Sequence, residues 1–141
     1  MADTAVVAKK LEQIERYYGE LRSKQTLSKE QFLGDVTEKR AVERMFENVI
    51  QACTDLAKHI ATEDFGYSGD RSKEAVEVLA TNDIITEETA ETVAAAIGFR
   101  NILAHEYGDV DPEQVYEYLQ NELSIYEQFS QQIATWAKTN T

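Results

Sequence analysis

The chain has 141 residues, 43 % of them apolar, with six glycines and a single proline. This is the size of one ordinary domain with enough apolar material for a core, and so few breakers exclude a loop-rich or all-β protein. The net charge of −12 makes a surface that repels nucleic acid unless cations gather locally.

The opening MADTAVVAKKLEQIERYY has no signal-like apolar run, and no stretch approaches the ~18 apolar residues of a membrane span. A cytoplasmic protein without membrane association is expected. Val7, Leu11, Ile14, Tyr18 and Leu21 mark one stripe of a helix over roughly 4–24. Ser28 to Gln31 reads as a capping box that opens a short helical turn through Phe32 and Leu33, broken at Gly34 and Asp35. Thr37 is expected to cap a long helix, about 37–63, with Val42, Phe46, Val49, Cys53, Leu56 and Ile60 on its stripe. The glycines of DFGYSGD make 64–70 a loop.

Ser72 is expected to cap a short helix through Ala75, Val76 and Leu79, ending near Asn82. Thr86 then caps a helix carrying Val93, Ile97 and the segment RNILAHEY, with Glu87 and Glu88 suited to its N-terminal dipole and Gly108 as its stop. Asp111-Pro112-Glu113-Gln114 signals a new start. From it a final helix runs to about Lys138 through Val115, Leu119, Leu123, Tyr126, Phe129, Ile133 and Trp136. The expected fold is an all-α, up-and-down four-helix bundle with short additional helices, formed by 1–141 as a single domain.

RNILAHEY, Arg100 to Tyr107, gathers Arg, Asn, His and Tyr next to the small residues Ala94, Ala95, Ala96 and Gly98. Such thin side chains let another helix approach, either from the bundle or from a second copy. On a regular helix Arg100 and His105 lie ~140° apart, whereas Asn101 and His105 share a face. A site that uses both Arg100 and His105 therefore needs a bend or a partner chain, and a two-fold dimer supplies two of each around one cleft. These residue types suit metal-independent RNA cleavage. An imidazole takes a proton from a ribose 2′-OH or gives one to the leaving oxygen, and a guanidinium holds the phosphate through two hydrogen bonds. The competing reading is a structural Arg/His hydrogen-bonding pair at a helix end.

The pattern R-x4-H-x-Y formed by Arg100, His105 and Tyr107, with Asn101 directly after the arginine, resembles that of the HEPN superfamily. It is most similar to the HepT-like toxins of type VII toxin–antitoxin systems. YYGELRSK, ENVIQACTDLAKHIA and IGFRNILAHEY extend the resemblance over most of the chain, and all three motif positions match. The resemblance implies a homodimeric endoribonuclease with Arg100 and His105 as catalytic residues and Asn101 in support. It also implies Tyr107 as the acceptor of AMP groups from a cognate MntA-type minimal nucleotidyltransferase, the antitoxin. No cofactor is implied. An alternative role is a non-catalytic helical partner that presents substrate to a nucleotidyltransferase; the intact Arg100/His105 pair favours the enzyme.

Other residues read as structural. His59, between Leu56 and Ile60, is a bundle-edge histidine with no second ligand at metal-binding spacing. Cys53 is a small core residue. Tyr116, Tyr126, Phe129 and Trp136 have the spacing of a core stripe. The glycines at 66 and 69 form no phosphate-binding pattern. Charge is uneven: residues 1–45 hold nine Lys/Arg against eight Asp/Glu, and residues 46–141 hold five against eighteen. Arg16, Arg22, Arg40 and Arg44 are thus candidates for a less repulsive groove.

Overall fold

The computed structural model describes residues 2–139, except for the side chain of Tyr107. Among these residues there are helices and turns and no strands. Four long helices form the bundle: α1 (Thr4–Ser23), α3 (Val36–Phe65), α5 (Glu87–His105) and α7 (Ser124–Thr139). Three short ones lie between them: α2 (Lys29–Leu33), α4 (Ser72–Thr81) and α6 (Pro112–Asn121). 3-10 turns occupy Lys24–Thr26 and Tyr107–Asp109.

The helix α3 is the spine, packed against α1, α2, α4, α5 and α7. Its stripe residues Val42, Phe46, Val49, Cys53, Leu56 and Ile60 are all buried, in one cluster with Ile14, Leu21, Leu79, Leu119, Phe129 and Ile133. The four-helix, all-α architecture read from the periodicity is the one observed.

The helix ends follow side-chain chemistry, with several corrections to the expected boundaries. The Ser28/Gln31 capping box forms as expected. The cap of α3 is Asp35 rather than Thr37: its carboxylate accepts from the Glu38 N–H (3.2 Å), and Thr37 lies inside the helix. The better acceptor wins, and it also complements the helix dipole. Arg71, not Ser72, takes the cap position of α4, with no side-chain bond. At the other end of α3, Gly66 has φ 64°, a left-handed conformation that costs glycine nothing.

The turn after α4 puts Asp83 in the same region (φ 61°). There the Asp83 N–H donates to the Ala80 carbonyl and the Ile84 N–H to the Leu79 carbonyl. This Schellman arrangement turns the chain toward α5.

The expected single last helix is two. Glu122 N–H still donates to the Tyr118 carbonyl (2.9 Å). The next acceptor along the ladder, the Leu119 carbonyl, is taken by Gln25 Nε2 (3.0 Å), and Gln120 Nε2 returns a bond to the Gln25 carbonyl (3.0 Å). A tertiary clamp from the Lys24–Thr26 turn thus interrupts the helix, which restarts at Ser124.

Candidate functional site

The helix α5 carries the motif, and both its ends are fixed. At the start Thr86 Oγ1 accepts from the Thr89 N–H (3.1 Å). Gln132 of α7 accepts from the Thr86 N–H (2.9 Å) and donates to Thr89 Oγ1 (3.0 Å). Near the motif, Phe99 is held edge-on between Phe46 of α3 (ring centroids 5.4 Å apart) and Tyr118 of α6 (4.7 Å). These contacts set the rotation of α5 about its axis and therefore where Arg100 points.

The core stripe of α5 is Thr89, Val93, Ile97 and Leu103. At ~100° per residue, Arg100 falls within that stripe, about two turns beyond Val93 and one beyond Ile97. It is half-buried, and its Nε is shut off from solvent with no hydrogen-bond partner. Asn101 and His105 lie on the opposite, exposed side of the helix. The helix is continuous through His105, its last residue, so no bend brings Arg100 and His105 onto one face. Among the described residues neither side chain has a hydrogen bond or ion pair. The structural Arg/His pair weighed above is therefore not formed.

The helix stops earlier than Gly108. The Glu106 N–H closes the last turn on the Ile102 carbonyl (2.9 Å), and the Asp109 N–H donates to the Glu106 carbonyl (2.8 Å) around the 3-10 turn. Helical geometry cannot continue from Glu106, whose ψ is 57°. Tyr107 is the first residue of that turn, between exposed Glu106 and exposed Gly108. The side chain of Tyr107, the implied AMP acceptor, lies outside the described residues.

Of the small residues before Arg100, Ala96 packs on the core, and Ala94 and Gly98 are half-buried. A Cβ built on Gly98 would meet only the Lys73 Nζ of α4, at 3.7 Å, and Ala95 is exposed. At Gly98 the neighbour from this chain is thus the tip of Lys73 from α4.

The other candidates are in their places. His59 Nε2 accepts from the Asp3 N–H (3.3 Å) and pins the start of α1. Cys53 is buried, and burial pushes its thiol well above the ordinary range. Tyr126 and Phe129 are core, and the Tyr116 hydroxyl donates to the Leu27 carbonyl (2.9 Å). The four arginines proposed for a groove are engaged on their own helices. Arg16 and Arg22 lie over Tyr17 and Tyr18, and Arg40 and Arg44 reach Glu43 and Glu47. Arg22 also lines a cleft of about 480 Å³ between α1 and α7. The periodicity placed them on helices but carried no information about these short-range partners. Among the described residues no three His, Cys, Asp or Glu converge as metal ligands, and no helix is long and apolar enough to cross a membrane.

The profile of the ribonuclease HepT-like family matches residues 8–133. The chain belongs to the HepT-like ribonuclease family. It is 29 % identical to the tRNA nuclease HepT of Aphanizomenon flos-aquae, over 97 % of this chain and 93 % of that protein. It is 26 % identical to the mRNA nuclease HepT of Shewanella oneidensis, over 89 % of this chain and 88 % of that protein. Among solved structures it is similar to the tri-AMPylated HEPN toxin of Shewanella oneidensis in complex with the MNT antitoxin. The TM-score is 0.85 at 26 % identity, covering 96 % of this chain and 99 % of that one. The fold and family implied by RNILAHEY are thus those found. The HepT-like nuclease assignment makes this chain a ribonuclease by family.

Proposed function

We propose that this chain is the toxin of a type VII toxin–antitoxin system: a metal-independent endoribonuclease, residues 1–141 forming one domain that works in the cytoplasm as a homodimer. Arg100 and His105 are its catalytic residues. The observation that carries this reading is the pairing of an occluded, unpartnered Arg100 Nε with an exposed, unpartnered His105 on one unbroken helix. A structural role would have given the Arg100 Nε a partner, because a buried unsatisfied polar atom costs about 1–3 kcal/mol. Within one protomer they diverge, so the proposed site needs a second copy, which adds its own Arg100 and His105 around one cleft.

In the proposed reaction His105 takes the proton from a ribose 2′-OH as that oxygen attacks the adjacent phosphorus. The bond to the 5′ oxygen breaks, and that oxygen leaves with a proton supplied by an imidazolium. Arg100 holds the phosphate oxygens and stabilises the added charge. Asn101, on the His105 face, supports the same phosphate. None of these groups is a typical metal ligand apart from His105, and one ligand does not hold a metal. Tyr107, in the exposed turn two residues on, accepts AMP from an MntA-type nucleotidyltransferase. The new phosphodiester then competes with RNA for Arg100. The AMPylated state of the similar Shewanella toxin supports this regulation.

Expression without a partner should slow growth and degrade RNA, and His105→Ala or Arg100→Ala should abolish both. Cleavage by the purified protein should survive EDTA. Co-expression with the cognate nucleotidyltransferase should add AMP mass to a peptide containing Tyr107. Equal cleavage by the His105→Ala protein would end the assignment. An unmodified Tyr107 in a neutralised complex would replace AMPylation with sequestration.

A further inference from the structure

The helix α5 has an outward face whose cation comes from another helix. Gly98 and His105 are seven residues apart, so they point the same way to within ~20° and lie ~10 Å apart along the axis. Asn101 and Ala94 flank the same line. Because Gly98 has no side chain, the Lys73 ammonium of α4 rests over the α5 backbone there, 3.7 Å from where a Cβ would stand. Lys73 is exposed, and among the described residues no carboxylate comes within ion-pair distance of it. This is notable in residues 46–141, where five cations face eighteen carboxylates. Glu74 and Glu77 on its own helix and Glu87 and Glu91 on α5 all leave it unpaired.

We infer that Lys73 is an RNA-binding residue of the His105 face, holding a backbone phosphate of the substrate a few nucleotides from the one that is cleaved. The inference rests on the ribonuclease reading. The spacing of ~10 Å corresponds to about three stacked nucleotides at ~3.4 Å each. Lys73 therefore acts on a phosphate about three nucleotides from the reacting one, as a point charge, and Arg100 remains the group at the reacting one. On a chain of net charge −12, an unneutralised ammonium next to the motif is what lets a polyanion approach this face. A contact to a phosphate that does not react binds ground state and transition state alike, so its loss raises KM and leaves kcat in place.

The test compares the wild type with Lys73→Gln, Lys73→Arg and Lys9→Gln, the last an exposed cation on α1. Circular dichroism melts confirm that each folds. Cleavage of a tRNA transcript and of a single-stranded oligoribonucleotide is followed across a range of KCl. Binding of the same fluorescein-labelled RNAs is measured in a His105→Ala background. Lys73→Gln should raise KM several-fold at unchanged kcat and weaken binding equally. It should also lower the slope of log affinity against log salt by about 0.7, the loss of one single-strand phosphate contact. Lys73→Arg should restore affinity, and Lys9→Gln should match the wild type. Lys73→Gln indistinguishable from Lys9→Gln, or a fall in kcat at constant KM, overturns the inference. A wild type that neither binds nor cleaves RNA, with Lys73→Gln equally inert, overturns the ribonuclease reading instead.

Discussion

Arg100 stands where the core stripe of α5 otherwise places Val93, Ile97 and Leu103. The motif named this residue in the sequence; its direction was not legible, because rotation of α5 is set by Phe99 between Phe46 and Tyr118, contacts far apart in the chain. An occluded Nε without a partner is a liability to the fold, and the stability–activity trade-off gives it a testable sign. Arg100→Met keeps the aliphatic stem and removes the unsatisfied group, so it should stabilise the protein by about 1 kcal/mol while abolishing RNA cleavage. Urea unfolding measures the first and a nuclease assay the second; a loss of stability would mean that Arg100 has a structural partner. Electrostatic strain is also found at Glu87, whose carboxyl is raised above its ordinary value, chiefly by the charge of Glu77 across the α4–α5 junction. A carboxyl raised in the folded state makes folding less favourable above its folded pKa, and the penalty disappears as pH falls through that value toward the unfolded one. Glu77→Gln should therefore raise Tm at neutral pH, with the gain shrinking as the pH drops through the glutamate range. A gain independent of pH would rule out this repulsion as its cause.

At the scale of elements, periodicity and caps located every long helix, since one-sided apolar stripes and Ser, Thr or Asp starts are local signals. What they missed was decided elsewhere in space. The α6/α7 break has no Pro or Gly to announce it; it depends on the Gln25 side chain occupying the Leu119 carbonyl 94 residues away. Asp35 rather than Thr37 caps α3 because two adjacent acceptors compete and the sequence does not rank them. The motif helix offers a sharper case. Its glycine is a weak spot by propensity, and within the chain it is needed only as room for the Lys73 tip. A Cβ at 3.7 Å is an ordinary contact, so Gly98→Ala should stabilise the isolated fold by about 0.8–1 kcal/mol. If a second copy closes over this face, the same methyl should weaken self-association. Thermal melts at micromolar and submicromolar concentration, with sedimentation equilibrium, separate the two effects. Stabilisation without any change in association would remove Gly98 from the interface.

For the whole molecule, the sequence reached the bundle and the family, and the homodimer that the resemblance implied belongs to the proposed function. The geometry of α5 supplies the argument for it. The helix is unbroken between Arg100 and His105, and the two positions lie ~140° apart around it, so in the proposed reading a site containing both draws them from two chains. This makes complementation the decisive test. Arg100→Ala and His105→Ala proteins are each expected to be inactive as homodimers. Mixed by co-expression, they form a heterodimer in which the intact Arg100 of one chain meets the intact His105 of the other, while the second combination lacks both. Half of a random mixture is heterodimer and one of its two composite sites works, so activity should return to roughly a quarter of the wild type under two-fold symmetry. Tagging each variant differently and purifying the doubly tagged species should raise this to about half. An inactive heterodimer, shown by mass spectrometry to contain one copy of each chain, would place Arg100 and His105 in the same protomer and require α5 to bend at its end when RNA binds.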